Sequence, residues 1–367
     1  MAVVNEIEKT ETPSVFSRTV EMGHEQVVFC QDQATGLKAI IAIHNTVLGP
    51  ALGGTRMWNY ANDDEALVDV LRLSRGMTYK ASISGLNLGG GKAVIIGDPA
   101  KLKSEAFMRR FGRFVDSLGG RYITAEDVNM KTRDMEYVHL ETDYVTGIPE
   151  SMGGSGDPSP VTAYGVYMGM KATAKYVYGS EDLSGKSIAV QGVGQVGMYL
   201  VEHLTKEGAR IYISDIDENK VANVAKTSGA EVIGMDEIYD LDVDIYAPCA
   251  LGATLNDDTI PRLKASIITG GANNQLKEER KHGYMLIDRG ITYAPDFLIN
   301  AGGLINVGAE YYGPYNRDKA HADAEKIYDT TLDILKMASE ESISTQEAAI
   351  KIAKKRIETI GNLKLPY

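Results

Sequence analysis

Residues 183–217 read LSGKSIAVQGVGQVGMYLVEHLTKEGARIYISDID. A short apolar run ending at Gln191 predicts a strand, an amphipathic pattern to Glu207 predicts a helix, and Gly208 turns the chain into a second strand ending at Asp215. Between strand and helix lie Gly192, Gly194 and Gly197, a G-x-G-x-x-G enclosing Gln195 and Val196. Alone, that pattern says little. Following a strand, opening a helix and trailed by an acid 23 residues after its first glycine, it predicts a dinucleotide-binding turn. The glycines let backbone approach a pyrophosphate, and the helix N-terminus favours negative charge there. Asp215 can accept hydrogen bonds from an adenosine ribose 2′-hydroxyl and would repel a 2′-phosphate, so NAD is favoured over NADP. The competing reading is a glycine-rich turn with no ligand.

Downstream, VDIYAPCA (243–250), SIITGGAN (266–273) and residues 291–294 read as strands alternating with short helices. They predict a doubly wound parallel sheet. INAGGLINV (299–307) reads as a glycine-broken segment between elements. One helical pattern covers about 318–340, and a second starts at Ser344, with Glu347 completing a capping box. Upstream, GIPESMGGSGDPSP (147–160) holds four glycines and three prolines, which no helix or central strand tolerates. The expected domains are therefore 1–147, for substrate binding and oligomerisation, and 148–340, a Rossmann domain. The helices at about 340–367 are expected to pack back on the first domain. A helix from about Thr162 to Tyr178 opens the second half. The fold class is α/β: an N-terminal domain with a mostly parallel sheet, a C-terminal dinucleotide-binding domain, and a cleft between.

In the first half, QVVFCQD and LKAIIAIHNTVLG around Thr35-Gly36 predict a hairpin over 26–48, followed by a tight loop at 49–54. Asp63 and Asp64 open a helix with Leu67, Val70, Leu71 and Ser74 on one face and Met77 and Lys80 near its end. KAVIIGDP (92–99) reads as a buried strand, 104–118 as an amphipathic helix, and 121–128 as a strand delivering Asp127. Lys80 and Lys92 both lie in glycine-rich contexts. Brought together, they would repel each other, and an anionic ligand between them would relieve this. A desolvated lysine with a cationic neighbour also has its pKa pushed down, which suits acid/base work. Singly, each has a plainer reading: Lys80 as a solvated helix end, Lys92 as a loop lysine, Asp127 as a turn acceptor.

The composition is that of a globular protein, at 367 residues with 44% hydrophobic and 24% charged content. A net charge of −12 without a basic patch argues against nucleic acid. The KKR at 354–356 reads as a solvated helix face. Two distant cysteines, Cys30 and Cys249, suggest a reducing compartment and no disulfide framework, Cys249 being a small buried residue near the cofactor cleft. Six histidines without ligand spacing predict no metal. The N-terminus has no apolar run fit for a signal peptide, and no run reaches membrane-spanning length. A cytoplasmic protein is expected.

With both halves placed, the chain resembles the glutamate/leucine/phenylalanine/valine dehydrogenase superfamily, nearest its bacterial leucine-type members, over about residues 15–360. The motifs that carry the resemblance are GPALGGTRM, RLSRGMTYKASISGLNLGGGKAVI, GRYITAEDV, TGIPESMGGSGDPSPVTAYGV, GVGQVG, APCALG, GGANNQL and INAGGLINV. It implies reversible oxidative deamination of an L-amino acid with NAD, and a homo-oligomer, in most relatives an octamer. It also implies roles. Lys80, helped by backbone near Gly53 and Gly54, would bind the substrate carboxylate, with Met77 nearby. Lys92 would polarise the substrate oxygen and assist water. Asp127 would handle protons of the amine. Asn273 or Asn274 would hold the amino group or nicotinamide ribose, Thr162 the carboxamide, and Cys249, Ala250 and Asn300 would border the cofactor. The chemistry agrees, since hydride leaves Cα only from a neutral amine and the iminium then needs water and acid/base help.

Glutamate-type members carry a lysine where this chain has Leu52, and a second polar contact near Val307. Burying a glutamate side chain against those two apolar residues would cost on the order of several kcal/mol. The pocket candidates Leu52, Ala125, Leu304 and Val307 suit an aliphatic or aromatic side chain. Ala125 matches leucine-type members, whereas Leu304 matches phenylalanine-type ones. Asn129-Met130 stands where leucine-type members usually have Gly-Thr. Leucine is expected first, with valine and isoleucine also used and phenylalanine as the rival. A reading from another class, a catalytically silent NAD-binding sensor, is opposed by the intact set of Lys80, Lys92 and Asp127.

Overall fold

The computed structural model describes residues 14–363. The segment on which the signal-peptide expectation rests, and residues 364–367 of the helical stretch expected at about 340–367, lie outside the described residues. Among the described residues no helix is long and apolar enough to cross a membrane.

The first half comprises α1 (Val15–Met22), β1 (Gln26–Asp32), β2 (Leu37–Asn45), β3 (Ala51–Leu52), β4 (Thr55–Trp58), α2 (Asp63–Ile83), β5 (Gly89–Ile96), α3 (Pro99–Leu102), α4 (Glu105–Asp116), β6 (Tyr122–Ile123) and α5 (Thr132–His139). Its sheet runs β1-β2-β5-β3-β6, with β4 also on β5. The β1–β2 hairpin and β2–β5 are antiparallel, and β3, β4 and β6 join in parallel. Both faces are covered. On β2, Ala39, Ile41 and Ile43 pack towards Phe107, Phe111 and Val115 of α4. The alternate Ile40 and Ala42 pack towards Leu67, Val70 and Leu71 of α2. Period-two alternation buried on both sides leaves a near-continuous apolar strand. Asn62 caps α2, its side chain accepting the Glu65 N–H at 2.9 Å, worth about 1 kcal/mol.

Two local expectations are corrected here. The tight loop at 49–54 contains β3, because the glycines serve close strand approach as well as turning: a Cβ on Gly53 would lie 1.8 Å from the Gly91 carbonyl oxygen. The strand expected over 121–128 is regular only at β6. Beyond it Thr124 N–H bonds Tyr144 O at 3.0 Å and Ala125 O accepts Thr55 N–H at 2.8 Å, so the chain reaches Asp127 through bridges between other segments. Asn129 then adopts φ +62°. Asparagine tolerates this left-handed conformation, and its Nδ2 donates to Met57 O at 3.0 Å.

The second half comprises α6 (Ser159–Tyr178), β7 (Ser187–Gln191), α7 (Gln195–Glu207), β8 (Arg210–Ser214), α8 (Glu218–Ser228), β9 (Glu231–Val232), β10 (Ile245–Pro248), β11 (Ile267–Ile268), α9 (Glu279–Asp288), β12 (Thr292–Tyr293), α10 (Asp296–Ile299), α11 (Gly302–Tyr311), α12 (Arg317–Glu325), α13 (Ile327–Glu341) and α14 (Thr345–Leu363). The sheet is wholly parallel in the order β12-β11-β10-β7-β8-β9. That is the doubly wound order of dinucleotide-binding domains, with the strand order reversing between β7 and β10, where ligands bind beyond the strand ends.

INAGGLINV is not an irregular segment: most of it forms the first turns of α11, with Leu304, Ile305 and Asn306 buried. Its two glycines mask the helical pattern. The pattern expected over 318–340 is two helices that meet at Lys326. The capping box at Ser344 is present, with Glu347 N–H to Ser344 Oγ at 3.2 Å and Ser344 N–H to Glu347 Oε2 at 3.1 Å. α14 runs against α2, where Ser82 Oγ donates to Ala353 O at 2.8 Å. The KKR segment is not simply solvated. Lys354 and Lys355 are exposed, but Arg356 Nη1 reaches Leu86 O at 2.7 Å and Nη2 reaches Asn87 Oδ1 at 2.8 Å. With Ser82 O at 3.1 Å and Gly85 O at 3.2 Å as well, the guanidinium gathers carbonyls at the end of α2 and in the turn that follows it.

Candidate active site

A cleft of about 390 Å³ lies between the two sheets. It is lined by Leu52, Gly53, Gly54, Met77, Lys80, Lys92, Ala125, Asp127, Asn273, Asn274, Leu304 and Val307. These residues reach it from β3, α2, β5, the bridges after β6, the loop after β11, and α11. Lys80 sits in the last turn of α2 and Lys92 in the middle of β5.

Lys92 is buried, and its Nζ lies 2.8 Å from Asp127 Oδ2. Arg56 Nε lies 3.0 Å from the same oxygen. Burial pushes the Lys92 ammonium down, and Asp127 partly offsets this. Burial alone would raise Asp127, but Lys92 and Arg56 outweigh it and hold the carboxyl below its usual range. Lys80 Nζ donates to Asn300 Oδ1 at 2.6 Å, while Asn300 Nδ2 donates to Asn273 Oδ1 at 2.7 Å and Gly271 O at 3.2 Å. Asn300 thus lies beside the lysine as well as the loop after β11. Burial lowers Lys80 to about 8, Asp296 pulls it up, and Lys92 adds a smaller downward push. The mutual repulsion expected of the two lysines is therefore secondary to desolvation.

The glycine turn sits at the end of β7. Gly192 has φ +98°, and a Cβ there would lie 2.7 Å from Ala250 N. One on Gly197 would lie 2.0 Å from Gly192 O, whereas one on Gly194 would meet nothing within 4 Å. Two glycines therefore shape the turn, and the third leaves open space at the N-terminus of α7. An anionic pyrophosphate fits that cradle. Asp215 Oδ2 accepts the Val193 N–H at 2.7 Å and Oδ1 the Asp217 N–H at 3.0 Å, which fixes the acid beside the turn. Cys249 is a free thiol that burial pushes up to about 11, its Sγ accepting the Gly271 N–H at 3.4 Å. Thr162 is buried at the start of α6 and donates back to Pro158 O at 2.8 Å.

Sequence reasoning missed four residues. Arg56 stood inside a quoted motif, GGTRM, but only the fold shows it on Asp127. Asp69 and Tyr60 hold Arg56 from behind, through Asp69 Oδ2 at 3.1 and 2.7 Å. Asp296 is buried at the start of α10, where burial raises it to about 6 against the Gln275 N–H, which donates at 2.8 Å, and Lys80. Its signal was faint: an acid just ahead of INAGG.

Among the described residues one trio has metal-ligand spacing, Asp257, Glu278 and His282. Lys281 already lies 2.7 Å from Asp257 and 3.7 Å from Glu278. His282 Nδ1 accepts the Glu278 N–H at 2.8 Å, so in the neutral ring the proton is on Nε2, the nitrogen facing Asp257. The trio reads as an ion-pair cluster.

A glycine turn for a dinucleotide at the end of β7, and a lysine–aspartate cluster for a small anion in the cleft that the loop after β11 lines, are the parts of a nicotinamide-dependent amino-acid dehydrogenase. The chain belongs to the glutamate/leucine/phenylalanine/valine dehydrogenase family. The family's dimerisation domain matches residues 24–144, and its main domain matches 153–217 and 211–362. Leucine dehydrogenase of Bacillus cereus is 55% identical over 97% of each chain. That of Geobacillus stearothermophilus is 56% identical over 94% of this chain and 93% of its own. The crystal structure of L-tryptophan dehydrogenase from Nostoc punctiforme superposes with a TM-score of 0.85 at 48% identity, covering 95% of this chain and 99% of that one.

Proposed function

We propose that this chain catalyses the reversible NAD-dependent oxidative deamination of L-leucine and other branched-chain L-amino acids to 2-oxo acids, ammonia and NADH. The observation that carries this reading is the pairing, in one cleft, of Lys80, Lys92 and Asp127 with an apolar wall of Leu52, Ala125, Leu304 and Val307. The greater identity to leucine dehydrogenases than to the tryptophan enzyme supports leucine as the preferred substrate. The boundary between a substrate domain and a dinucleotide domain is placed at 147–148, and the enzyme is proposed to work as a cytoplasmic homo-octamer.

Lys80 uses one of its three donors on Asn300, leaving two for the substrate carboxylate, whose charge favours the protonated lysine. Asp127, held as a carboxylate, attracts the substrate ammonium and accepts its proton. Bound NAD would supply the acceptor for the hydride that leaves Cα. Lys92 then takes a proton from the water that adds to the iminium, and its ammonium hydrogen-bonds that oxygen as the carbinolamine collapses and the hydroxyl proton passes to solvent. Ammonia departs with the proton that Asp127 returns. Gly192, Gly194, Gln195, Val196 and Gly197 hold the pyrophosphate and Asp215 the ribose. Ala250 and Cys249 border the cofactor, with Thr162, Asn273 and Asn274 towards its nicotinamide end. Asn300 positions Lys80 and Asn273. Closure of the cleft would exclude water.

The test is NADH formation with L-leucine, L-valine, L-isoleucine, L-phenylalanine and L-glutamate, each with NAD and NADP. The aliphatic substrates with NAD should give the highest kcat/KM and glutamate the lowest. Among the aliphatic substrates one methylene is worth only about 1–3 kcal/mol, so none should be excluded. If phenylalanine wins, Leu304 is the better guide and the leucine assignment falls.

A further inference from the structure

Asp127 uses its two oxygens unequally. Oδ2 takes Lys92 Nζ at 2.8 Å and Arg56 Nε at 3.0 Å, while no described residue donates a hydrogen bond to Oδ1. Two cations that share one oxygen stand within about 6 Å of each other, close enough for each to oppose the other's charge. Arg56 is also not free to swing away. Its Nη1 lies 3.1 Å from Asp69 Oδ2, which accepts the Tyr60 hydroxyl at 2.7 Å, and Arg72 takes Asp69 Oδ1 at 3.1 Å. The guanidinium is thus stretched between a strand of the sheet and α2, with one edge on the cleft carboxylate and the other on a carboxylate behind it. A lysine at this position could not span both, because an ammonium is a point charge where the guanidinium is a planar fork.

We propose that Arg56 is a positioning residue for the deamination: fixed from behind by Asp69 and Tyr60, it shares Asp127 Oδ2 with Lys92, keeps Oδ1 available to the substrate amine, and keeps Lys92 able to release its proton. This rests on the roles given above to Asp127 and Lys92. Without Arg56, Lys92 and Asp127 would close into a one-to-one ion pair. The lysine would hold its proton more tightly, and the carboxylate would be free to rotate both oxygens onto it. Each change works against a carboxylate that must take a proton from substrate and a lysine that must activate water.

The experiment compares Arg56→Gln and Arg56→Lys with the unaltered enzyme. The protonation of Lys92 is read by competitive acetic anhydride labelling across pH, followed by mass spectrometry of its peptide, and kcat/KM is measured in parallel. The remaining charges lining the cleft, Arg72, Lys80, Glu126, Glu279 and Asp296, are the same in all three. Arg56→Gln should move the Lys92 titration to higher pH by about 1 unit and lower kcat/KM by about tenfold or more. Arg56→Lys restores a cation, so the titration should return close to its original midpoint while kcat/KM stays reduced. An unmoved Lys92 titration in Arg56→Gln overturns the inference, and so does full kcat/KM in Arg56→Lys, which would mean that charge alone suffices. If Arg56→Gln does not fold, the Arg56→Lys arm still decides. Asp127→Asn separates the two levels. Should it keep turnover, the role of Asp127 falls. Should it lose turnover while Arg56→Gln leaves Lys92 unmoved, only the inference about Arg56 falls.

Discussion

The glycine turn and the lysine–aspartate cluster are built in opposite ways. The turn is local: Gly192, Gly194, Gly197 and Asp215 lie within one strand–helix–strand unit, and its shape follows from backbone that passes within contact distance of itself and of Ala250. The cluster is assembled from a distance. Arg56, Lys80, Lys92 and Asp127 come from β4, α2, β5 and the bridges after β6, and Asn300 arrives from the other sheet's side to meet Lys80. A local device binds a ligand nearly invariant in shape. A dispersed one allows charges to be set by burial and by one another, so that Lys80 sits near 8 while Asp127 stays ionised.

If the two regions divide the work in this way, removing the cluster should stop chemistry and leave cofactor binding alone. Lys92→Ala and Asp127→Asn should each lower kcat by about 10²–10⁴-fold, the range of lost general acid/base catalysis. The dissociation constant for NAD, followed by fluorescence or calorimetry, should stay within a few-fold of the original. A variant that keeps near-original kcat would remove its residue from the chemistry. One that loses NAD binding as well would show that the two regions are a single energetic unit.

The same contrast explains what could be read in the sequence. The turn was legible because its signal is contiguous, and the parallel sheet that follows was legible from strands alternating with helices. For the cluster, the sequence alone supplied three polar residues in glycine-rich surroundings, each with an ordinary reading; resemblance supplied their roles. Arg56 remained invisible because its importance lies wholly in the carboxylates it reaches, 13 residues away at Asp69 and 71 away at Asp127. Short elements failed for a related reason. β3 and β6 are two residues each, held by pairing with β5 and with each other, and no local pattern encodes a strand that neighbours impose. At the start of α11 the glycines suggested a break, while burial of Leu304 and Ile305 makes a helix.

A second division can be tested within the cluster itself, between a lysine that binds and a lysine that reacts. In the free enzyme Lys80 titrates near 8 because of its burial. Binding of a carboxylate needs the ammonium, so affinity should be constant well below that pH and fall as pH rises through it. The inhibition constant of 4-methylpentanoate, which has a leucine-like chain and carboxylate but no amine, should rise towards tenfold per pH unit on the alkaline side. Lys80→Arg, which stays charged, should flatten the profile, and Lys80→Ala should raise KM by about 10- to 100-fold, the worth of one charge-assisted hydrogen bond. A flat profile in the unaltered enzyme would take Lys80 out of the carboxylate site.

The smallest expected effect lies on the local side and is the most informative about it. Asp215 does two things at once: Oδ2 and Oδ1 accept the Val193 and Asp217 N–H groups, which shapes the turn, and the proposed reading adds an adenosine ribose. Asp215→Ala would remove both, so a loss of NAD affinity alone could not tell them apart. Asp215→Asn keeps one acceptor oxygen for the turn and removes the charge. If the carboxylate discriminates against the 2′-phosphate by repulsion, the asparagine variant should bind NADP about tenfold better while NAD weakens by no more than about tenfold. If Asp215 matters only through the turn, both cofactors should weaken together and their ratio should not move. The ratio of the two kcat/KM values therefore separates a charge that reads the cofactor from an acid that merely folds the loop.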